Sequence, residues 1–276
     1  MSIIILKAER ILSMGDLLNM KWGTFTPQHF ISLVVSLALS VSLHFILRKK
    51  SDKTKRLVLF ILSFLGPIAL LHDMSWGLRT SMLLYLPFHL CSFNAILTPI
   101  LVWTRNRFLG NLIPLFSVGS ALSLIFNTVQ AEYSIFSFVF LFHFISHTIG
   151  YCIPFLMFSL GLVKPHPKYI LPCIGTTFGL YTIAHFVNLF VNEILKAQNI
   201  LDSTGTLYQV NYMFSLDPQG NPVLMLCWNL IPYQYFYMLA VIPIIALAFG
   251  SMNIGFIIRY IKSKRNHENE PLAIEE

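Results

Sequence analysis

Charge is what this sequence has least of. Only 11% of its 276 residues are Asp, Glu, Lys or Arg, against 55% hydrophobic, where a soluble domain carries roughly 25% charged residues. A chain so poor in charge cannot clothe a water-facing surface. That excludes a large soluble enzyme, a DNA-binding module and a disordered tail protein. Cysteine is scarce too: there are four, with no CxxC spacing to suggest a disulfide framework, a zinc ribbon or a redox pair. Cys152, Cys173 and Cys227 read as small buried hydrophobes, and Cys91 is set apart by its surroundings. No His-Glu-x-x-His motif is present. There is no internal repeat, so an inverted-repeat transporter has no support. Nor is there a convincing signal peptide, because Lys7, Glu9 and Arg10 interrupt the first apolar run.

Apolar runs, by contrast, are abundant. A hydrocarbon core about 30 Å thick needs about 20 apolar residues in a helix. Seven stretches qualify: residues 28–47, 57–71, 82–103, 108–128, 135–163, 169–194 and 235–260. The second extends through His72 and Asp73 to reach the far interface. Gly66-Pro67, Pro87, Pro99, Pro114 and Pro154 predict kinks, which a bundle tolerates when neighbouring helices satisfy the freed carbonyls. Fourteen of the 19 basic residues fall after spans 1, 3, 5 and 7, on alternate loops. By the positive-inside rule those loops face the cytoplasm. The reading is an all-α polytopic transmembrane helix bundle of seven spans in the cell membrane, N-terminus outside and C-terminus cytoplasmic. The net charge of +7 is then a topology signal, with no nucleic acid as partner. Residues 1–26 form an N-terminal interfacial segment, with Ile4, Ala8, Ile11, Leu12 and Leu18 on one helical face. Residues 27–262 are the transmembrane domain, and 263–276 a disordered cytoplasmic tail. The one long outer loop, 197–234, is of a length that is usually functional or folded back on the protein.

Ionisable side chains inside spans are costly and point to a function by default. Here they are almost all histidines: His89 in span 3, His143 and His147 in span 5, His185 in span 6. At about 1.5 Å per residue, His89 and Cys91 fall roughly 10–14 Å below the outer edge, His143 and His147 about 12–18 Å, and His185 about 14 Å. Three helices thus put His or Cys at one depth, in the outer half. His143 and His147, four apart, share a helix face. His89 and Cys91, two apart, point in opposite directions on a regular helix, so a base from span 5 or 6 suits Cys91 better unless Pro87 distorts the turn. A neighbouring imidazole can generate the thiolate nucleophile. Asp73 is placed to orient such a histidine. Asn94, Asn188, Asn211 and Tyr212 are the polar residues expected to contact substrate. His44 lacks such company and reads as a packing residue.

The segment Leu86-Pro87-Phe88-His89-Leu90-Cys91-Ser92 resembles a motif of the YwaF-type bacterial integral membrane proteins, in which a hydrophobic-Pro-x-His-Leu-Cys pattern lies within the third span. The region of His147 and the run Asn211-Tyr212-Met213 match more weakly. Where that family has an aromatic Gly-Pro-Trp-Pro-Trp-Tyr stretch, this chain has Trp228-Asn229-Leu230-Ile231-Pro232-Tyr233. The resemblance extends from span 1 to span 7. A vertebrate relative of that family, transmembrane protein 164, is described as an acyltransferase that remodels ether phospholipids through an intramembrane cysteine. The resemblance therefore implies Cys91 as nucleophile and a membrane histidine as base.

Three functions are compatible with these residues. An acyltransferase would take an acyl chain from a glycerophospholipid as a Cys91 thioester in the outer half of the bilayer, with membrane lipids as partners and no cofactor. A zinc-dependent lipid hydrolase or amidase would use three of His89, Cys91, His143, His147 and His185 as ligands, with an open position for water. A small-solute transporter would need a polar path through the inner halves of the spans, where no matching residues lie. The ranking is acyltransferase, metallohydrolase, transporter, with no metal expected.

Overall fold

The computed structural model describes residues 21–78, 81–126, 133–201, 205–255, 258 and 261–262. Most of the expected interfacial segment and the whole of the expected tail lie outside the described residues. Within them the regular structure is helical apart from a two-residue antiparallel ladder, β1 (Lys21–Trp22) with β2 (Tyr133–Ser134), and a single bridge between Leu201 and Leu207. The helices are α1 (Pro27–Leu47), α2 (Asp52–Ser63), α3 (Leu65–Gly77), α4 (Leu90–Thr104), α5 (Arg107–Phe126), α6 (Phe138–Ser159), α7 (Ile170–Ala197), α8 (Pro222–Leu230) and α9 (Ile242–Met252). Their starts follow from local chemistry. Thr26, Ser51 and Ser137 each accept an N–H of the first turn of α1, α2 and α6, as capping hydroxyls do. α6 ends in a Schellman motif: Gly161 at φ 74° lets the Leu162 and Gly161 N–H groups reach the Met157 and Phe158 carbonyls.

Among the described residues five helices are long and apolar enough to cross a membrane: Pro27–Leu47, Asp52–Ser75, Arg107–Phe126, Phe138–Ser159 and Pro167–Ala197. Two further apolar helices, Leu90–Thr104 and Phe236–Leu247, are shorter. α1 turns Phe30, Val34, Leu37 and Val41 outward, a face suited to lipid. α5 is the most buried of the five and lines the core with Gly110, Asn111, Ser117, Ser120 and Ser123, small residues that let membrane helices approach closely.

The third expected span is the main correction. Helix was expected from residue 82, yet Met82–Tyr85 is a single 3₁₀ turn and α4 begins only at Leu90. Pro87 explains the gap: it has no N–H, and it forces the preceding Leu86 into extended backbone (φ −64°, ψ 142°). Phe88 then closes a three-residue turn onto the Leu86 carbonyl at 2.8 Å. His89 is consequently the N-cap of α4, with extended backbone (φ −90°, ψ 153°). Depths counted along a helix from Met82 do not apply, and neither does the argument that His89 and Cys91 point apart. In the second expected span Gly66-Pro67 produces the break anticipated, with Phe64 separating α2 from α3.

The basic loops after the first, third and fifth expected spans gather at one end of the bundle. Arg56, at the start of α2, donates to the Trp103 carbonyl in the last turn of α4 at 2.6 Å, where a helix C-terminus favours a cation. Asn111 of α5 accepts the N–H of His166, which follows α6, at 2.9 Å. The ladder β1–β2 marks the opposite end.

The segment from Val210 to Ser215 folds back along α7 rather than projecting from the bundle. Asn192 accepts from the Val210 N–H at 2.7 Å and donates to its carbonyl at 3.0 Å. Asn188 accepts from the Tyr212 N–H at 2.8 Å and donates to its carbonyl at 2.9 Å. His185 meets the Ser215 hydroxyl at 3.0 Å. Residues 185, 188 and 192 form one stripe of α7, so the loop descends roughly three turns below the helix end. Non-helical backbone at that depth survives only when its polar groups are paired inside the protein. The Asn side chains supply that pairing.

Candidate functional site

Cys91 is the second residue of α4 and half-buried. Its sulfur lies against the N–H groups of Cys91 and Ser92 and against the Ser92 hydroxyl. N–H groups at a helix start favour a thiolate, and a nearby base can generate one. Asn94, one turn into α4, donates to the Gly150 carbonyl of α6 at 2.7 Å. α4, α5 and α6 run alternately up and down, so α4 and α6 are parallel. One turn back from the Asn94–Gly150 tie, in both helices, stand Cys91 and His147, each about 4.5 Å above it. His147 also lies within electrostatic reach of His89.

The hydrogen bonds assign the protons. His147 Nδ1 meets the His143 carbonyl at 2.9 Å. A carbonyl only accepts, so Nδ1 carries the proton and Nε2 keeps its lone pair. His89 is the reverse: its Nδ1 accepts the Met213 N–H at 3.3 Å, so the proton of the neutral ring sits on Nε2. Neither Nε2 has a hydrogen-bond partner among the described residues, and neither is a buried orphan. The site thus offers one open acceptor, on α6 at the level of Cys91, and one open donor, two residues from the thiol. The His143 ring lies against that of His147 in a tilted arrangement, with centroids 4.2 Å apart. Asp73 is within electrostatic reach of Cys91, but its partner is the adjacent His72, at 3.3 Å. The His143 carbonyl, not a carboxylate, orients His147.

His185 stands elsewhere. The Ser215 hydroxyl that it meets also accepts from Asn188 at 2.8 Å, and the ring lies 5.0 Å from that of Tyr235. Depth groups His185 with the others, but the fold gives it to α7 and the loop. The four residues expected to touch substrate are taken up by packing. Asn94, fully buried, donates to Ser120 and Gly150 and accepts from Thr98. Asn188, also fully buried, clamps the loop. Asn211 ties the loop to itself through Leu216 and Asp217. Tyr212 donates its hydroxyl to the Leu83 carbonyl and sets its ring 5.4 Å from that of His89. Among the described residues no three His, Cys, Asp or Glu side chains come together as a metal-binding group, and the zinc reading requires three. His44 bonds Ser159 at 3.0 Å, far from the thiol.

A family model for the TMEM164 family matches residues 24–252. The chain belongs to the TMEM164 family. The matched segment includes every residue of the site and leaves out the first 23 residues and the tail. No curated protein and no solved structure matches the chain.

Sequence reasoning missed the strained backbone over the site. Met213 and Phe214, both bulky, sit at positive φ (53° and 55°), a conformation that costs on the order of 1–3 kcal/mol per residue. The Asn188 clamp, the His89 ring and the Tyr237 hydroxyl on the Phe214 carbonyl hold them there. Tyr235 is a second such point: at φ 64° it makes a three-residue turn, with the Phe236 N–H on the Gln234 carbonyl at 2.7 Å. No glycine marks these positions. The only sequence signal was the Asn-Tyr-Met run beside the Asn stripe of α7.

Proposed function

We propose that this protein is an intramembrane acyltransferase of the YwaF type, which takes an acyl chain from a glycerophospholipid onto Cys91 and passes it to a hydroxyl acceptor. His147 Nε2 takes the thiol proton as the sulfur attacks the ester carbonyl. The carbon–sulfur bond forms, and the tetrahedral intermediate collapses with cleavage of the ester C–O bond. The leaving glycerol oxygen receives the proton from His147, and Cys91 is left as a thioester. An incoming hydroxyl gives its proton to His147, attacks the thioester and restores the thiol. No soluble cofactor enters these steps. The single observation that carries the reading is an open His147 acceptor at the level of a half-buried thiol, each one turn from the Asn94–Gly150 tie between α4 and α6.

The same proposal includes seven spans in the cell membrane, N-terminus outside and C-terminus cytoplasmic. The five long helices and two shorter ones support the number, and the clustering of basic loops at one end supports the sidedness. Cys91 then works from the outer leaflet. Thr206→Cys, beside the positive-φ Gly205, should react with an impermeant thiol reagent on intact cells; protection until lysis would invert the orientation. For the chemistry, purified full-length protein in liposomes should move a labelled acyl chain between lipids through a hydroxylamine-sensitive adduct. Cys91→Ser, far less nucleophilic at similar shape, should lose both adduct and transfer. Full activity in folded Cys91→Ser protein would overturn the covalent mechanism.

A further inference from the structure

The reaction above leaves His89 without a part, although it stands two residues from the nucleophile. Three observations define what it offers. Its backbone is the N-cap of α4, so its place relative to Cys91 is set by the helix start. Its Nδ1 is committed to the Met213 N–H at 3.3 Å. Tyr212 and Phe214 brace the ring, with centroids at 5.4 Å and 6.0 Å. A neutral imidazole that accepts at Nδ1 donates at Nε2, and that Nε2 has no partner among the described residues. His89 is therefore a fixed donor, unable to serve as base while the loop hydrogen bond stands. His147, with its proton held on Nδ1, has the opposite polarity.

Acyl transfer needs such a donor. When sulfur adds to the ester carbonyl, the carbonyl oxygen gains a full negative charge, and preorganised donors aimed at it lower the barrier. Resting on the acyltransferase reading, we infer that His89 is a catalytic residue that donates its Nε2–H to the oxyanion of both tetrahedral intermediates. No proton is transferred in this role. The hydrogen bond forms as the carbon–sulfur bond forms and weakens as the oxyanion collapses to a carbonyl, in acylation and again in deacylation. The strained Met213-Phe214 segment acquires a purpose: it presents the N–H that keeps the His89 proton on the outward nitrogen. The backbone strain and the tautomer are two aspects of one device.

Two conservative variants separate this role from a structural one. The Asn side-chain oxygen can stand where His Nδ1 stands, so His89→Asn keeps the Met213 bond and loses the outward donor. The Gln side-chain nitrogen can stand where Nε2 stands, so His89→Gln keeps the donor and loses the loop bond. Each is assayed in liposomes in two ways. One is acyl transfer from a labelled phosphatidylcholine. The other is alkylation of Cys91 by a lipid-tailed iodoacetamide, a displacement that forms no oxyanion. His89→Asn should lose transfer by about 10²–10³-fold, the usual loss of one oxyanion donor, with alkylation unchanged. His89→Gln should recover part of that loss. Transfer that persists in His89→Asn, a loss of transfer and alkylation in equal proportion, or recovery by Asn rather than Gln would each overturn the inference. Wild-type protein that is alkylated at Cys91 but moves no acyl chain would remove the underlying reading, and the inference with it; the failure is recognisable because it is in the wild type.

Discussion

Two polar clusters in this bundle use their hydrogen-bonding atoms differently. In one, on the helix that carries Cys91 and on its neighbour α6, His89 and His147 each spend Nδ1 on the backbone and leave Nε2 open. In the other, His185, Asn188 and Asn192 spend their polar atoms on Ser215, Tyr212 and Val210. By residue type the two are alike. Accounting for each donor and acceptor separates them: open polar ends can do chemistry, whereas paired ends hold a loop in place. The contrast also links the clusters, because the loop held by the second supplies the Met213 N–H that sets the proton position in the first.

The sharpest way to break the comparison is to remove one member of each cluster. His147→Ala should lower acyl transfer by roughly 10²–10⁴-fold, the range for a lost general base, without moving the thermal unfolding midpoint in detergent. Asn188→Ala should do the reverse. It leaves the Tyr212 N–H and carbonyl buried without their Asn partner, at about 1–3 kcal/mol for each such group, so the midpoint should drop sharply. Its activity should recover on cooling to a temperature at which the loop is seated. Should Asn188→Ala melt like wild type, or His147→Ala melt early, the division between chemistry and scaffold is drawn in the wrong place.

Much of this fold was legible because hydropathy and the basic loops follow from the membrane itself. The long helices, the break at Gly66-Pro67 and the gathering of Arg56 with the end of α4 all follow from local rules. The start of α4 was not legible in detail: Pro87 signalled a distortion, but only tertiary contacts show that it moves the helix start to Leu90 and makes His89 a cap. The site was half legible. His143 lies against His147, and His147 is within reach of His89, but His185 belongs with the loop on α7, because depth along a helix says nothing about which face a residue takes. The Asn stripe of α7 was visible as a 3.6-residue pattern. Its complement was hidden, since a loop that re-enters a bundle carries no periodicity.

Ser215→Ala is a finer test of the same division. The hydroxyl bridges Asn188 and His185, at 2.8 Å and 3.0 Å, in a fully buried position. Losing it leaves both partners short of one contact and should cost about 1–3 kcal/mol, less than the Asn188 truncation. Transfer measured per folded molecule should stay at the wild-type rate. A rate loss comparable to that of His147→Ala, at unchanged stability, would make Ser215 and His185 part of the chemistry and dissolve the distinction between the clusters.

The smallest effect is expected at His44, and its smallness is informative. This histidine is also membrane-facing, on α1, and its Nδ1 meets Ser159 of α6 at 3.0 Å. It lines an open groove of about 590 Å³ with Ser40, Tyr151 and Phe155, near the basic end and away from Cys91. The pair is not enclosed, so the ring can exchange its partner for water or a lipid headgroup. A net hydrogen bond contributes about 0.5–1.5 kcal/mol even where it is protected, and His44→Ala should fall at or below the lower end of that range. Acyl transfer, Cys91 alkylation and the unfolding midpoint should all match wild type. If His44→Ala instead slowed transfer while leaving alkylation intact, the acyl path would extend from Cys91 to the far end of α6, and the chemistry would not be confined to the end where α4 begins.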